Sequence, residues 1–141
     1  MSQLPRVEWV AETLSKEGMR DLIQRCESFV LPTRGEGWGL PIVEAMAMGK
    51  PVIATGDHSG PTAYMTEENS YRLKSVGVEK QTGFSVPSVE HLRELMRHVF
   101  SHRDEATVKG LRARHDVHSQ FHPEEVRETL LALLWGVYEK A

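Results

Sequence analysis

Two glutamates, Glu36 and Glu44, bracket a glycine-rich run with seven residues between them. Gly35, Gly37 and Gly39 stand at alternate positions, and Leu40-Pro41-Ile42-Val43-Glu44-Ala45-Met46-Ala47 follows. Glycine lets the backbone approach a ligand closely, and the first amides of a helix have no internal partners. A glycine turn that opens a helix therefore suits an anion such as phosphate. A carboxylate has the opposite preference and accepts hydrogen bonds from hydroxyl pairs, as an acidic residue does with a ribose. Together they point to a ligand carrying both phosphate and hydroxyls. The competing reading puts both glutamates on the solvated surface, where glutamates usually lie. Against it stand the place of Glu36 between two glycines and the small, apolar neighbours of Glu44.

The elements that must position these groups alternate. Val7 to Val10 reads as a short strand. Ser15 caps a helix over about 18–27, with Met19, Leu22, Ile23 and Cys26 on its inward face. Phe29-Val30-Leu31 is apolar on both sides, as in a parallel sheet covered by helices, and Pro32 ends it. The glycine turn then leads into a helix over about 40–48. Pro41 fits its first turn, Gly49 ends it and Pro51 blocks any continuation. Pro51 to Thr55 is a further strand, Gly56 to Pro61 a loop, and Thr62 to Met65 one helical turn. Ser70 to Lys74 is a weaker strand, and Gly77 to Thr82 an exposed excursion. Three helices follow: one capped by Ser88, one over about 104–118, and one from Pro123. The last carries Val126, Leu130, Leu133, Leu134 and Val137 as an apolar stripe, with Trp135 and Tyr138 as packing residues.

Strands alternating with helices imply right-handed crossovers and parallel pairing. The expected fold is α/β, a parallel sheet of three to four strands flanked by helices, with a helical C-terminus. No linker or repeat divides residues 1–141, so one domain is expected. A doubly wound sheet usually has more strands, so the chain reads as part of such a unit.

Composition narrows the function classes. The formal net charge of −3 gives no field for nucleic acid or an anionic membrane. A bound phosphate must be held by local geometry. The single cysteine, Cys26, excludes an internal disulfide and reads as a buried, inert thiol. No apolar run approaches the roughly 20 residues of a membrane span, and no signal peptide is legible, so a cytoplasmic protein is expected. Lys50 is followed by Pro51, which departs from a phosphate-binding Walker sequence, and Ile42 stands where a dinucleotide fingerprint needs its third glycine. The seven histidines lack a metal-binding frame. Asp57-His58-Ser59 is adjacent in sequence, which does not make a catalytic triad.

The run from Glu36 through Leu40, Glu44 and Gly49 to Thr55 resembles the donor-binding signature of retaining glycosyltransferases of the GT-B fold. The nearest match is family 4, also called group 1. The likeness extends upstream to Met19 and, more loosely, downstream through the Gly60 turn and the C-terminal helices. The resemblance implies a Rossmann-like half of a GT-B fold and a nucleotide-diphosphate sugar as donor substrate, with no metal or other cofactor. It implies that Glu36 faces the donor sugar's hydroxyls as the catalytic-site acid and that Glu44 binds the ribose. The amides around Gly37, Trp38, Gly39 and Leu40 would lie against the sugar and diphosphate, and Leu40 and Ile42 would approach the ribose and base.

Some features of the family have no counterpart here. Its Arg and Lys that neutralise the leaving diphosphate, and its acceptor-holding N-terminal domain, are not represented in these 141 residues. Arg34 does not occupy the basic position. The loop that often reads Gly-Gly-x-x-Glu is Ser59-Gly60-Pro61-Thr62-Ala63-Tyr64, without the acid. The leading expectation is therefore retaining sugar transfer to an unknown acceptor, with this chain supplying the donor half. The alternatives are a nucleotide-sugar-binding fragment that cannot turn over alone, and an interaction module. In the latter the last helix covers a partner lobe or a second copy.

Overall fold

The computed structural model describes residues 7–139. The order of elements is α1 (Lys16–Arg25), β1 (Phe29–Leu31), α2 (Leu40–Ala47), β2 (Val52–Thr55), a 3-10 turn (Gly60–Ala63), β3 (Tyr71–Leu73), β4 (Ser75–Val78), β5 (Ser85–Pro87), α3 (Val89–Ser101), α4 (Arg103–Phe121) and α5 (Pro123–Tyr138). Strands β1, β2 and β3 form a parallel sheet with β2 in the centre, in the register Phe29 to Val52 and Ile53 to Tyr71.

All four residues of β2 are buried, and they alternate between two cores. Val52 and Ala54 pack with Ile42, Ala45 and Met46 of α2, Ile23 of α1, and Ala113 and Val117 of α4. Ile53 points the other way, to Tyr71, Val99 and Ala106, with Leu92 and Leu95 against them. This two-sided cover is why the strand sequences are continuously apolar. Each large side chain so buried contributes about 1.5–3 kcal/mol. Thr55 closes the carboxyl end of the sheet by donating its hydroxyl to the Thr33 carbonyl at 2.8 Å.

Local chemistry explains the helix ends. The Ser15 hydroxyl accepts from the Gly18 amide at 3.1 Å, and the Ser88 hydroxyl from the His91 amide at 3.2 Å. Gly49 ends α2 with a positive φ of 72°. The Lys50 ammonium donates to the carbonyls of Gln24 (2.7 Å) and Cys26 (2.8 Å), capping the negative end of α1. Gly110 of α4 lies so close that a Cβ there would collide with the Gly49 carbonyl oxygen.

Four expectations change. Val7 to Val10 forms no strand: Val7 and Trp9 are 80% and 85% exposed, and no strand among the described residues pairs with them. Cys26 is exposed, because α1 ends at Arg25 and only Ile23 of its apolar face is buried. The stretch after β3 is an antiparallel hairpin, β4 with β5, closed by a loop in which Gly83 has φ 72°. Finally, α5 buries none of its residues, and its apolar stripe faces outward, with Trp135 edge-on to Tyr138.

Candidate donor-binding site

The glycine turn sits at the carboxyl end of β1 and runs into the N-terminus of α2, the end of a parallel sheet where ligands bind. Gly39 is the N-cap of α2 in a left-handed conformation, φ 81° and ψ 49°. A side chain there would be strained, and its Cβ would stand 2.7 Å from the Tyr64 hydroxyl. From Gly39 onward the helix closes on itself, with the amides of Ile42 and Val43 both bonded to the Gly39 carbonyl. Pro41 has no amide to offer. Among the described residues the amides of Gly37, Trp38, Gly39 and Leu40 have no hydrogen-bond partner. Four adjacent unpartnered donors at a helix start suit an anion.

Tyr64 holds the turn in this state. Its hydroxyl donates to the carbonyls of Trp38 (2.6 Å) and Gly39 (3.2 Å) from a buried position. Its ring packs with Trp38 and Phe121 at centroid distances of 5.4 and 6.1 Å. Burial, and after it the charge of Glu36, pushes the phenol up to about 12, so it remains a donor. The loop before Tyr64 presses on the same turn: a Cβ on Gly60 would collide with the Gly37 carbonyl oxygen and stand 2.7 Å from the Trp38 Cα.

Beside the turn lies a cleft of about 430 Å³. Arg34, Glu36 and Gly37 form one wall, His58 and Ser59 another, and Val78 and Phe84 of the hairpin a third. The hairpin is tied on at three points. The Ser85 amide donates to the Arg34 carbonyl at 3.0 Å, and Arg34 pairs with Glu79 at 3.3 Å. The Phe84 ring lies where a Cβ on Gly35 would be 3.0 Å away. Across the cleft, Asp57 accepts from the Ser75 amide at 2.7 Å and from its hydroxyl at 3.1 Å, and contacts His58 Nδ1 at 2.7 Å. Partial burial works against ionisation of Asp57, but the bonds from His58 and Ser75 prevail and hold its carboxyl below the usual range. Ser59 adopts φ 63° and ψ −162°, a region left almost wholly to glycine, at a cost of about 1–3 kcal/mol. The neighbouring Thr62 stabilises it, donating its hydroxyl to the Ser59 carbonyl at 2.7 Å.

Of the residues singled out in the sequence, Glu36 and Gly37 line this cleft, and Trp38, Gly39 and Leu40 continue from it as the unpartnered amides. Glu44 is exposed, one turn along α2 from Leu40 (64% exposed), so the two share an open helix face outside the cleft. Ile42 is different. It is fully buried between the turn and the core, where it supports Gly39 and presents no surface to a ligand. Three contributors escaped the sequence reading: Tyr64, His58 and the hairpin. The hairpin did leave a signal, since Val76 and Val78 alternate on one side of Gly83 and Phe84 and Val86 on the other. A larger groove of about 610 Å³ lies at the opposite end of the sheet, between α1 and α3, away from the glycine turn.

The parallel sheet flanked by helices, with the glycine turn at its carboxyl end, is the arrangement of part of a Rossmann-like GT-B fold. The family model described as glycosyl transferases group 1 matches residues 2–102. The chain belongs to that family. A curated sucrose synthase from Melioribacter roseus is 33% identical over 82 residues, covering 55% of this chain and 10% of the relative. Among solved structures, HepE of Anabaena in complex with UDP superposes with TM-score 0.63 at 19% identity, over 79% of this chain and 29% of that one. Sucrose-phosphate synthase from Thermosynechococcus elongatus gives 0.65 at 21% identity, over 85% and 27%. TarM gives 0.63 at 20% identity, over 85% and 22%. The chain thus spans less than a third of each of these relatives.

No helix among the described residues is long and apolar enough to cross a membrane. No group of three or more His, Cys, Asp or Glu gathers among them to hold a metal ion; His98 stacks on His102 and pairs with Glu105.

Proposed function

We propose that this chain is the donor-binding half of a retaining glycosyltransferase, taking a nucleotide-diphosphate sugar and serving transfer to an acceptor. The observation that carries the reading is the row of four unpartnered amides, Gly37 to Leu40, opening beside a cleft that holds Glu36. The amides suit the diphosphate and stabilise it as it leaves, the interaction of greatest value in such a transfer. Glu36 suits the sugar's hydroxyls. Glu44, on the open face with Leu40, suits the ribose. The solved HepE structure is a complex with UDP, which supports a nucleotide as the ligand.

Calorimetric titration with UDP, GDP and ADP sugars tests the reading. At least one binds, and Glu44→Ala weakens it. Absence of binding by the wild-type chain to every nucleotide overturns the proposal.

A second reading has its own support. The chain spans 22–29% of the solved relatives, and α5 leaves Leu130, Leu133 and Trp135 more than half exposed. On this reading the chain binds nucleotide sugar without turnover, and α5 covers a partner lobe or a second copy. Turnover by this chain alone excludes it, and light scattering separates monomer from dimer.

A further inference from the structure

We propose that His58 is a donor-sugar contact that works with Glu36: its Nε2 and the Glu36 carboxylate grip hydroxyls of the transferred sugar in the cleft under the hairpin. This rests on the nucleotide-sugar reading above and extends it to a residue outside the glutamate and glycine signature.

Three observations carry it. The first is orientation. Asp57 already accepts two bonds from Ser75, and as a carboxylate it has no hydrogen to give. Its 2.7 Å contact with His58 Nδ1 therefore requires the ring to donate there. In the neutral ring this fixes Nε2 as an acceptor, and among the described residues Nε2 has no partner. The second is location. His58 lines the same cleft as Glu36, while Trp38, Gly39 and Leu40 do not. The third is strain. Ser59 is held in a conformation nearly reserved for glycine, between the Asp57–His58 pair and the point where Gly60 presses on the glycine turn. Strain of this kind gathers at binding sites.

The chemistry of the cleft selects the sugar over the phosphate. Glu36 repels a phosphate, and Arg34 is engaged with Glu79. The Glu36 carboxylate and the His58 ring nitrogen in one cleft match a polyol, whose hydroxyls both donate and accept. The diphosphate has its own place along the amides from Gly37 to Leu40. Gly37 belongs to both, which joins the two subsites.

The test compares calorimetric affinities for free UDP, GDP and ADP with those for their glucose, mannose and N-acetylglucosamine conjugates. The variants are His58→Asn and His58→Gln. Asn keeps a nitrogen near Nδ1 to meet Asp57 and removes Nε2; Gln places an amide near Nε2. The wild type binds one conjugate more tightly than its diphosphate. In His58→Asn the diphosphate affinity stays within about twofold while the conjugate loses about fivefold, the scale of one hydrogen bond. His58→Gln recovers part of that loss, and it carries the test if the Asn variant does not fold. Equal losses for diphosphate and conjugate, no loss for either, or a wild type that holds both equally overturns the role of His58 alone. A wild type that binds no nucleotide overturns this proposal together with the function on which it rests.

Discussion

The Tyr64 hydroxyl donates to the Trp38 and Gly39 carbonyls at 2.6 and 3.2 Å, so a residue of one loop sets the backbone of another, 26 and 25 positions earlier. Pulling two carbonyls inward turns the adjoining amides outward. Tyr64→Phe keeps the ring packing on Trp38 and Phe121 and removes only the donor. The expected loss is about 1 kcal/mol of stability by urea unfolding. Affinity for free nucleoside diphosphate also falls, because the amides lose their orientation. Unchanged diphosphate affinity in a folded Tyr64→Phe chain would separate Tyr64 from the anion site.

The same phenol gives a pH signature. Its folded pKa, raised to about 12, lies above the ordinary value of 10, so the folded state keeps the proton longer than the unfolded state. The contribution is fully present below about pH 10 and is lost as pH rises toward about 12. Tyr71 is also pushed up to about 12, by burial first and then by Glu105. A spectrophotometric alkaline titration therefore shows a late tyrosine phase near 12, and Tyr64→Phe halves its amplitude. A late phase of unchanged size would contradict the burial of the Tyr64 hydroxyl.

How much of this was open to reading from the residues follows from the range of the interactions involved. The caps at Ser15 and Ser88, the stop at Gly49 and the two-sided strand Val52 to Thr55 are set by neighbours within a few positions or by sheet-wide burial. Local pattern reveals them. The glycine turn was legible for the same reason, since three glycines before a helix state their backbone demand directly. Tyr64, His58 and the hairpin act on the turn from 20 to 50 positions away, and only the fold brings them to it. Ile42 shows the converse. The family resemblance implied a ligand contact there, but its position on α2, three and four residues before Ala45 and Met46, carries it into the core. The stretch Val7 to Val10 has β-branched and aromatic strand composition, but composition does not supply a neighbouring strand, and none among the described residues pairs with it.

Thr33 offers a stability gain. Its hydroxyl oxygen is buried and has no hydrogen-bond partner among the described residues, although its carbonyl is bonded by Thr55. Thr33→Val keeps the shape and removes the unsatisfied group. The expected change is a gain of about 1 kcal/mol, seen as a higher urea midpoint with the same slope. A loss would show that the hydroxyl has a partner in solution.

Two glycines of the turn region separate fold from binding. A Cβ on Gly60 would collide with the Gly37 carbonyl oxygen, whereas a Cβ on Gly37 meets nothing within 4 Å. Gly60→Ala must push the loop off the turn, which also displaces Tyr64 four positions on. It is expected to cost about 1–3 kcal/mol or more, the range for overpacking in a closed site. Gly37→Ala is expected to stay within about 0.5 kcal/mol of the wild type, as an open position does. Its methyl group instead stands at the junction between the unpartnered amides and the Glu36 cleft, so nucleotide-sugar affinity falls while the fold is kept. Thermal unfolding and calorimetry on both variants check the pair. A destabilised Gly37→Ala, or one that binds as the wild type does, would show that the open space over Gly37 is not where the ligand lies.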